Sequence, residues 1–110
     1  MAKKTIPKKL NNNILKYVNE LKNDNLPIEK IILFGSFAKG KQHKWSDVDL
    51  CVVSPKFKDS WSAMNYLWSK LTFNMNYTIE PVGFNPKDFN DKYSSLVNEI
   101  KTTGIEIKLK

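Results

Sequence analysis

Phe34-Gly35-Ser36-Phe37-Ala38-Lys39-Gly40, followed after a polar stretch by Trp45-Ser46-Asp47-Val48-Asp49-Leu50, is where this chain declares its chemistry. Asp47 and Asp49 open a β-branched run, Val48 to Val53, that reads as a strand. A period of two puts both carboxylates on one face and Val48, Leu50 and Val52 on the other, toward a core. Two carboxylates this close repel each other unless a cation neutralises them, and hard oxygen donors suit Mg²⁺. Gly35 ends a strand candidate, Glu29 to Phe34, and opens a turn. Without a Cβ it lets a phosphate approach the backbone. Ser36 offers a hydroxyl and backbone amides to phosphate oxygens, and Lys39 adds positive charge. A hairpin-like return then sets Gly35-Ser36 beside Asp47 and Asp49, so phosphate cradle and metal carboxylates share one cleft.

Outward from this centre the elements follow from periodicity. Leu10, Ile14, Val18 and Leu21 put a helix over Lys8 to Asn23, broken by Asp24-Asn25-Leu26-Pro27. Phe37-Ala38-Lys39 makes one helical turn closed by Gly40, and Lys41 to Ser46 a polar loop. A helix over Asp59 to Phe73 turns Trp61, Met64, Trp68 and Leu71 inward, and Asn74 to Asn76 is a turn. Tyr77 to Val82 is a third strand, interrupted by Pro81. A helix starting at Asn85-Pro86 carries Phe89, Tyr93, Leu96, Val97 and Ile100 as far as Gly104. Ile105 to Leu109 alternates as a fourth strand with Ile105, Ile107 and Leu109 inward. The expected fold is a small α/β (α+β) domain over residues 1–110, with a mixed sheet and helices on one face, and residues 1–7 as a basic tail.

Composition bounds the rest. The chain has 110 residues, 41% hydrophobic and 26% charged, which suits one globular domain. No apolar run is long enough to span a bilayer, and the start lacks a signal-peptide pattern, so a cytoplasmic protein is expected. One cysteine excludes an intrachain disulfide, and with one histidine it excludes a structural zinc site. The formal charge of +7 favours polyanions such as nucleoside triphosphates. Because the lysines are scattered, solubility accounts for much of that charge. Nucleic-acid binding through Lys3-Lys4, Lys8-Lys9, Lys108 and Lys110 is the less favoured reading.

Gly-Ser, ten residues, then Asp-x-Asp resembles the signature of the nucleotidyltransferases related to DNA polymerase beta. The fuller string Leu33-Phe34-Gly35-Ser36-x-Ala38-Lys39-Gly40 with Ser46-Asp47-Val48-Asp49-Leu50 is similar to their minimal nucleotidyltransferase branch. The resemblance implies three carboxylates and two Mg²⁺ ions. Asp47 and Asp49 would be metal ligands, with Glu80 on the third strand as the third acid, in preference to Glu106. Asp is commoner than Glu there in the family, and Pro81 stands beside it. The resemblance further implies transfer of a nucleoside monophosphate, AMP from ATP, to a hydroxyl acceptor. Lys39 stands where many relatives carry Arg, keeping the charge without the bidentate fork. Members of the branch pair with HEPN-type toxins and modify a toxin tyrosine, acting as antitoxins, so a protein partner is expected. A catalytically silent nucleotide- or partner-binding module of the same fold is the alternative.

Each residue also has an ordinary reading. Gly35-Ser36 alone is a strand-to-turn exit, Asp47 and Asp49 a solvated start of a strand, and Glu80 an exposed strand residue. Cys51 shares the face of the two aspartates and reads as packing. His43 and Trp45 read as loop residues with an option to touch ligand, and Lys41 and Lys44 as solvated or triphosphate-steering lysines. Trp61 and Trp68 read as core residues first and a partner surface second.

Overall fold

In the computed structural model, which describes residues 6–40, 47–71 and 78–109, helix α1 spans Lys8–Asn23. It buries Leu10, Ile14, Tyr17, Val18 and Leu21. Asn25, at φ 63°, ends it. The Leu26 amide donates to the Leu21 carbonyl (3.2 Å) and the Asn25 amide to that of Lys22 (2.9 Å). This pair of bonds is the Schellman arrangement, with Asn in the left-handed position.

Strands β1 (Lys30–Phe34), β2 (Val48–Val53), β3 (Ile79–Phe84) and β4 (Ile105–Ile107) form one sheet in the order β3-β2-β1-β4. β1 pairs antiparallel with β2 and with β4, while β2 and β3 run parallel. The mixed α/β sheet read from the sequence is therefore present. Pro81 sits on the edge strand β3, the place in a sheet where a missing amide is tolerated.

Two apolar layers flank the sheet. On one face Ile31, Leu33, Leu50 and Val52 pack with α1 and with Ala63 and Leu67 of α3 (Ser60–Ser69). On the other, Ile32, Phe34, Cys51 and Val53 pack with Phe89 and with Val97 and Ile100 of α4 (Ser95–Thr103). The second face is thus not left bare as the sequence reading expected. α4 covers part of it, and the carboxylates lie beside that cover.

Two helices differ from expectation. The helix expected from Asn85 onward is a 3₁₀ turn, Asp88–Asn90, followed by α4. Asp91 accepts from the Tyr93 amide (2.9 Å) and the Ser94 hydroxyl from that of Val97 (3.2 Å). These short polar side chains take over amides a continuous helix would need. Tyr93 is 85% exposed and Leu96 also faces outward.

α3 carries its large apolar residues outside: Trp61 is 70% exposed, and Met64 and Trp68 are exposed too. The cause is Gly83 of β3. A Cβ there would lie 2.7 Å from the Ala63 Cβ and 2.9 Å from Leu67 Cδ1. The bare glycine lets the Ala63–Leu67 side of α3 settle onto the strand, which turns the tryptophans outward. Asp59 caps α3 by accepting from the Ser62 amide (2.7 Å). The buried Tyr17 hydroxyl donates to the Leu67 carbonyl (2.7 Å), tying α1 to the end of α3. The basic tail up to Lys4 and Thr5, the loop Lys41 to Ser46, the turn Asn74 to Asn76, Phe73, Tyr77 and Lys110 lie outside the described residues.

Candidate active site

The site starts where β1 ends. Gly35 has φ 77° and ψ −151°, a conformation essentially confined to glycine. It turns the chain into α2 (Ser36–Lys39), which Gly40 closes in the left-handed region at φ 71°. Register does the rest. Phe34 pairs with Asp49 across β1 and β2, and Asp49 pairs with Glu80 across β2 and β3. The Asp49 carboxylate therefore stands between the bend and Glu80, with neighbouring strands about 4.8 Å apart. A Cβ built on Gly35 would overlap the Asp49 carboxylate, so bend and carboxylate touch. Asp47, exposed, precedes β2 on the same side.

The charges bear on one another. Partial burial, then Asp47 and Glu99, push the Asp49 carboxyl above its ordinary pKa. Partial burial, then Asp47 and Asp49, together with a hydrogen bond to Asp47, push up Glu80. Negative charge is thus crowded at the N-terminal ends of two parallel strands, the situation a divalent cation relieves. Among the described residues no three His, Cys, Asp or Glu side chains are already drawn together tightly enough to grip an ion. The donors are nevertheless all carboxylate oxygens on one sheet face. Such donors fit Mg²⁺, with side-chain rotation needed to bring them inward.

Lys39 ends α2 with its ammonium 3.8 Å from Glu99 of α4. It is linked to the cleft through that acid, not aimed from the bend alone. Glu99 is the residue the sequence reading passed over. Its signal was its place next to Ile100, one of the apolar positions that the sequence reading gave to that helix. Glu106 pairs with Ile32 on β4, two strands from β2 and on the opposite edge of the sheet from Glu80. Cys51 is fully buried, and burial pushes its thiol up to about 12. His43, Trp45, Lys41 and Lys44 lie outside the described residues.

The profile of the family described as "Nucleotidyltransferase domain" matches residues 12–108. The chain belongs to that family. Solved structures resemble this nucleotidyltransferase domain over most of its length. A chain of a toxin–antitoxin complex with AMP-PNP is 26% identical, with a TM-score of 0.58 over 91% of this chain and 73% of its own. A candidate nucleotidyltransferase from Sulfolobus solfataricus is 15% identical, with a TM-score of 0.64 over 96% of this chain and 87% of its own, and shares the fold. So does a mutant of the toxin–antitoxin pair MntA–HpeT, 24% identical, with a TM-score of 0.59 over 88% of this chain and 72% of its own. No curated protein matches the sequence. Among the described residues no helix is long and apolar enough to cross a membrane.

Proposed function

We propose that this nucleotidyltransferase domain moves AMP from Mg²⁺-bound ATP to a hydroxyl of a protein partner, acting as the antitoxin of a toxin–antitoxin pair. The observation that carries the reading is the position of Asp49, in contact with the Gly35 bend on one side and in register with Glu80 on the other. The likeness to a toxin–antitoxin chain crystallised with AMP-PNP supports the nucleotide and the partner class. A HEPN-type toxin presenting a tyrosine is the acceptor that the motif resemblance favours.

Asp47, Asp49 and Glu80 would hold two Mg²⁺ ions. When bound, these supply neutralisation of the triphosphate and a lowered pKa for the acceptor hydroxyl. The residues of the chain do the remainder. The bare Cα of Gly35 admits the phosphates close to the backbone, and the Ser36 hydroxyl and turn amides hydrogen-bond their oxygens. Lys39 contributes charge at the mouth once the triphosphate competes for it with Glu99. Glu80 receives the proton of the attacking hydroxyl, whose oxygen forms the new bond to the α-phosphorus as pyrophosphate leaves.

The test is direct. The chain is incubated with a HEPN-type toxin, ATP and Mg²⁺, and the toxin is weighed by mass spectrometry. A gain in units of AMP is expected, absent with Asp47→Asn/Asp49→Asn. Saturable Mg²⁺–ATP binding without mass gain would leave a nucleotide-binding module in place of an enzyme. No binding at all would remove both.

A further inference from the structure

A cavity of about 280 Å³ opens between the C-terminal turn of α1, the connection from β2 to α3, and the first turns of α3. It is no part of the carboxylate cleft. The connection begins after Val53, four residues along β2 from Asp49, which is about 13 Å of strand. Its inner residues, Leu26 and Phe57, belong to the α1–α3 core and not to the layer beside Asp49.

The cavity has an apolar floor and a cationic rim. Leu26 and Phe57 are almost wholly buried, and the Tyr66 ring lies 6.2 Å from that of Phe57. Exposed at the rim are Lys56 and Lys58. Both are mounted on pinned backbone. The hydroxyl of the buried Ser54 accepts from the Lys56 amide (3.2 Å), and the Asn85 side chain donates to the Lys58 carbonyl (3.3 Å). The neighbouring acids are already engaged. Asp24 accepts from the Tyr66 hydroxyl and lies 3.4 Å from Lys70, and Asp59 caps α3. Lys56 and Lys58 feel the charge of Asp24 and Asp59 respectively, but among the described residues neither forms a close ion pair, so both ammonium groups can still meet a ligand.

We propose that this cavity docks an acidic segment of a protein partner. One large apolar side chain of the segment enters between Leu26, Phe57 and Tyr66, and its flanking carboxylates meet Lys56 and Lys58. A recessed floor close to 300 Å³ suits one anchoring side chain, and aromatic anchors dominate such contacts. Polynucleotide is disfavoured, because two lysines do not make a backbone track. A segment seated here leaves the Asp47–Asp49 face open, so docking and nucleotide chemistry are separable.

The probe is a fluorescein-labelled peptide carrying one phenylalanine between runs of glutamate, titrated by anisotropy against the full chain. Lys56→Glu/Lys58→Glu should weaken binding about tenfold or more. Ser62→Phe, at an exposed position whose new ring fills the mouth, should weaken it by at least about fivefold, as should phenylalanine-to-alanine in the peptide. Lys101→Glu/Lys108→Glu has the same net charge but lies away from the cavity, and should change affinity by no more than about twofold. The proposal is overturned by no saturable binding up to about 1 mM. It is equally overturned by equal losses in the two charge-reversed variants, by unchanged affinity in Ser62→Phe, or by single-stranded RNA that binds in the peptide's stead and is lost in the Lys56/Lys58 variant.

Discussion

Replacing Gly35 by alanine should damage this protein twice over, and Gly40 measures the two costs apart. At φ 77° and ψ −151° an alanine at position 35 sits in a region that costs about 1–3 kcal/mol for a residue with a Cβ. The added methyl also overlaps the Asp49 carboxylate, which must leave its rotamer at a further cost of about 1 kcal/mol. Gly40 has φ 71° and ψ 21°, and a Cβ there meets nothing within 4 Å, so Gly40→Ala carries only the left-handed penalty of about 1 kcal/mol. The entropy removed from the unfolded chain is the same in both and cancels. At about 2.1 cal/mol/K per residue, unfolding entropy is roughly 230 cal/mol/K for this chain, so each kcal/mol moves Tm by about 4 °C. Gly35→Ala should therefore melt about 4–12 °C below Gly40→Ala, by circular dichroism in matched buffer. In the Gly35→Ala background, Asp49→Ala should restore part of the loss, because the overlapped oxygen is gone. Equal melting of the two alanine variants, or strict additivity with Asp49→Ala, would refute the contact between bend and carboxylate on which the site is built.

Other outcomes follow from single contacts. Tyr17→Phe removes the hydroxyl that donates to the Leu67 carbonyl, but that oxygen keeps the Lys70 amide. The loss should stay near 1 kcal/mol, about 4 °C in Tm. Asp24 is held below the usual carboxylate pKa, first by the Tyr66 hydroxyl and then by Lys70. A depressed folded value means stabilisation that is present above the unfolded pKa of about 3.9 and lost as pH falls through the folded value. Urea midpoints measured downward from about pH 5 should fall less steeply in Tyr66→Phe than in wild type. The Cys51 thiol, fully buried and pushed up to about 12, should react with a disulfide reagent at pH 8 far more slowly in the native protein than in guanidinium. Prompt native labelling would show that the second apolar layer opens.

What the amino-acid order settled alone is the part governed by neighbours along the chain. α1 follows from its apolar spacing and its Asn25 stop, β2 from its β-branched run, and the bend from a glycine whose backbone angles few other residues adopt. The meeting of Gly35 with Asp49 was legible for the same reason, because alternation sets the face of β2 that carries the aspartates and β2 pairs with the strand that ends at the bend. What tertiary packing decided is orientation. The glycine at position 83 turned the tryptophans of α3 outward by letting Ala63 and Leu67 approach, a contact across some twenty residues that no periodicity encodes. Asp91 and Ser94 split the last helical stretch, so that α4 settled on the second face and brought Glu99 to the cleft. Periodicity tells a segment that it has an apolar side. Only the shape of the surface it meets determines which side goes in.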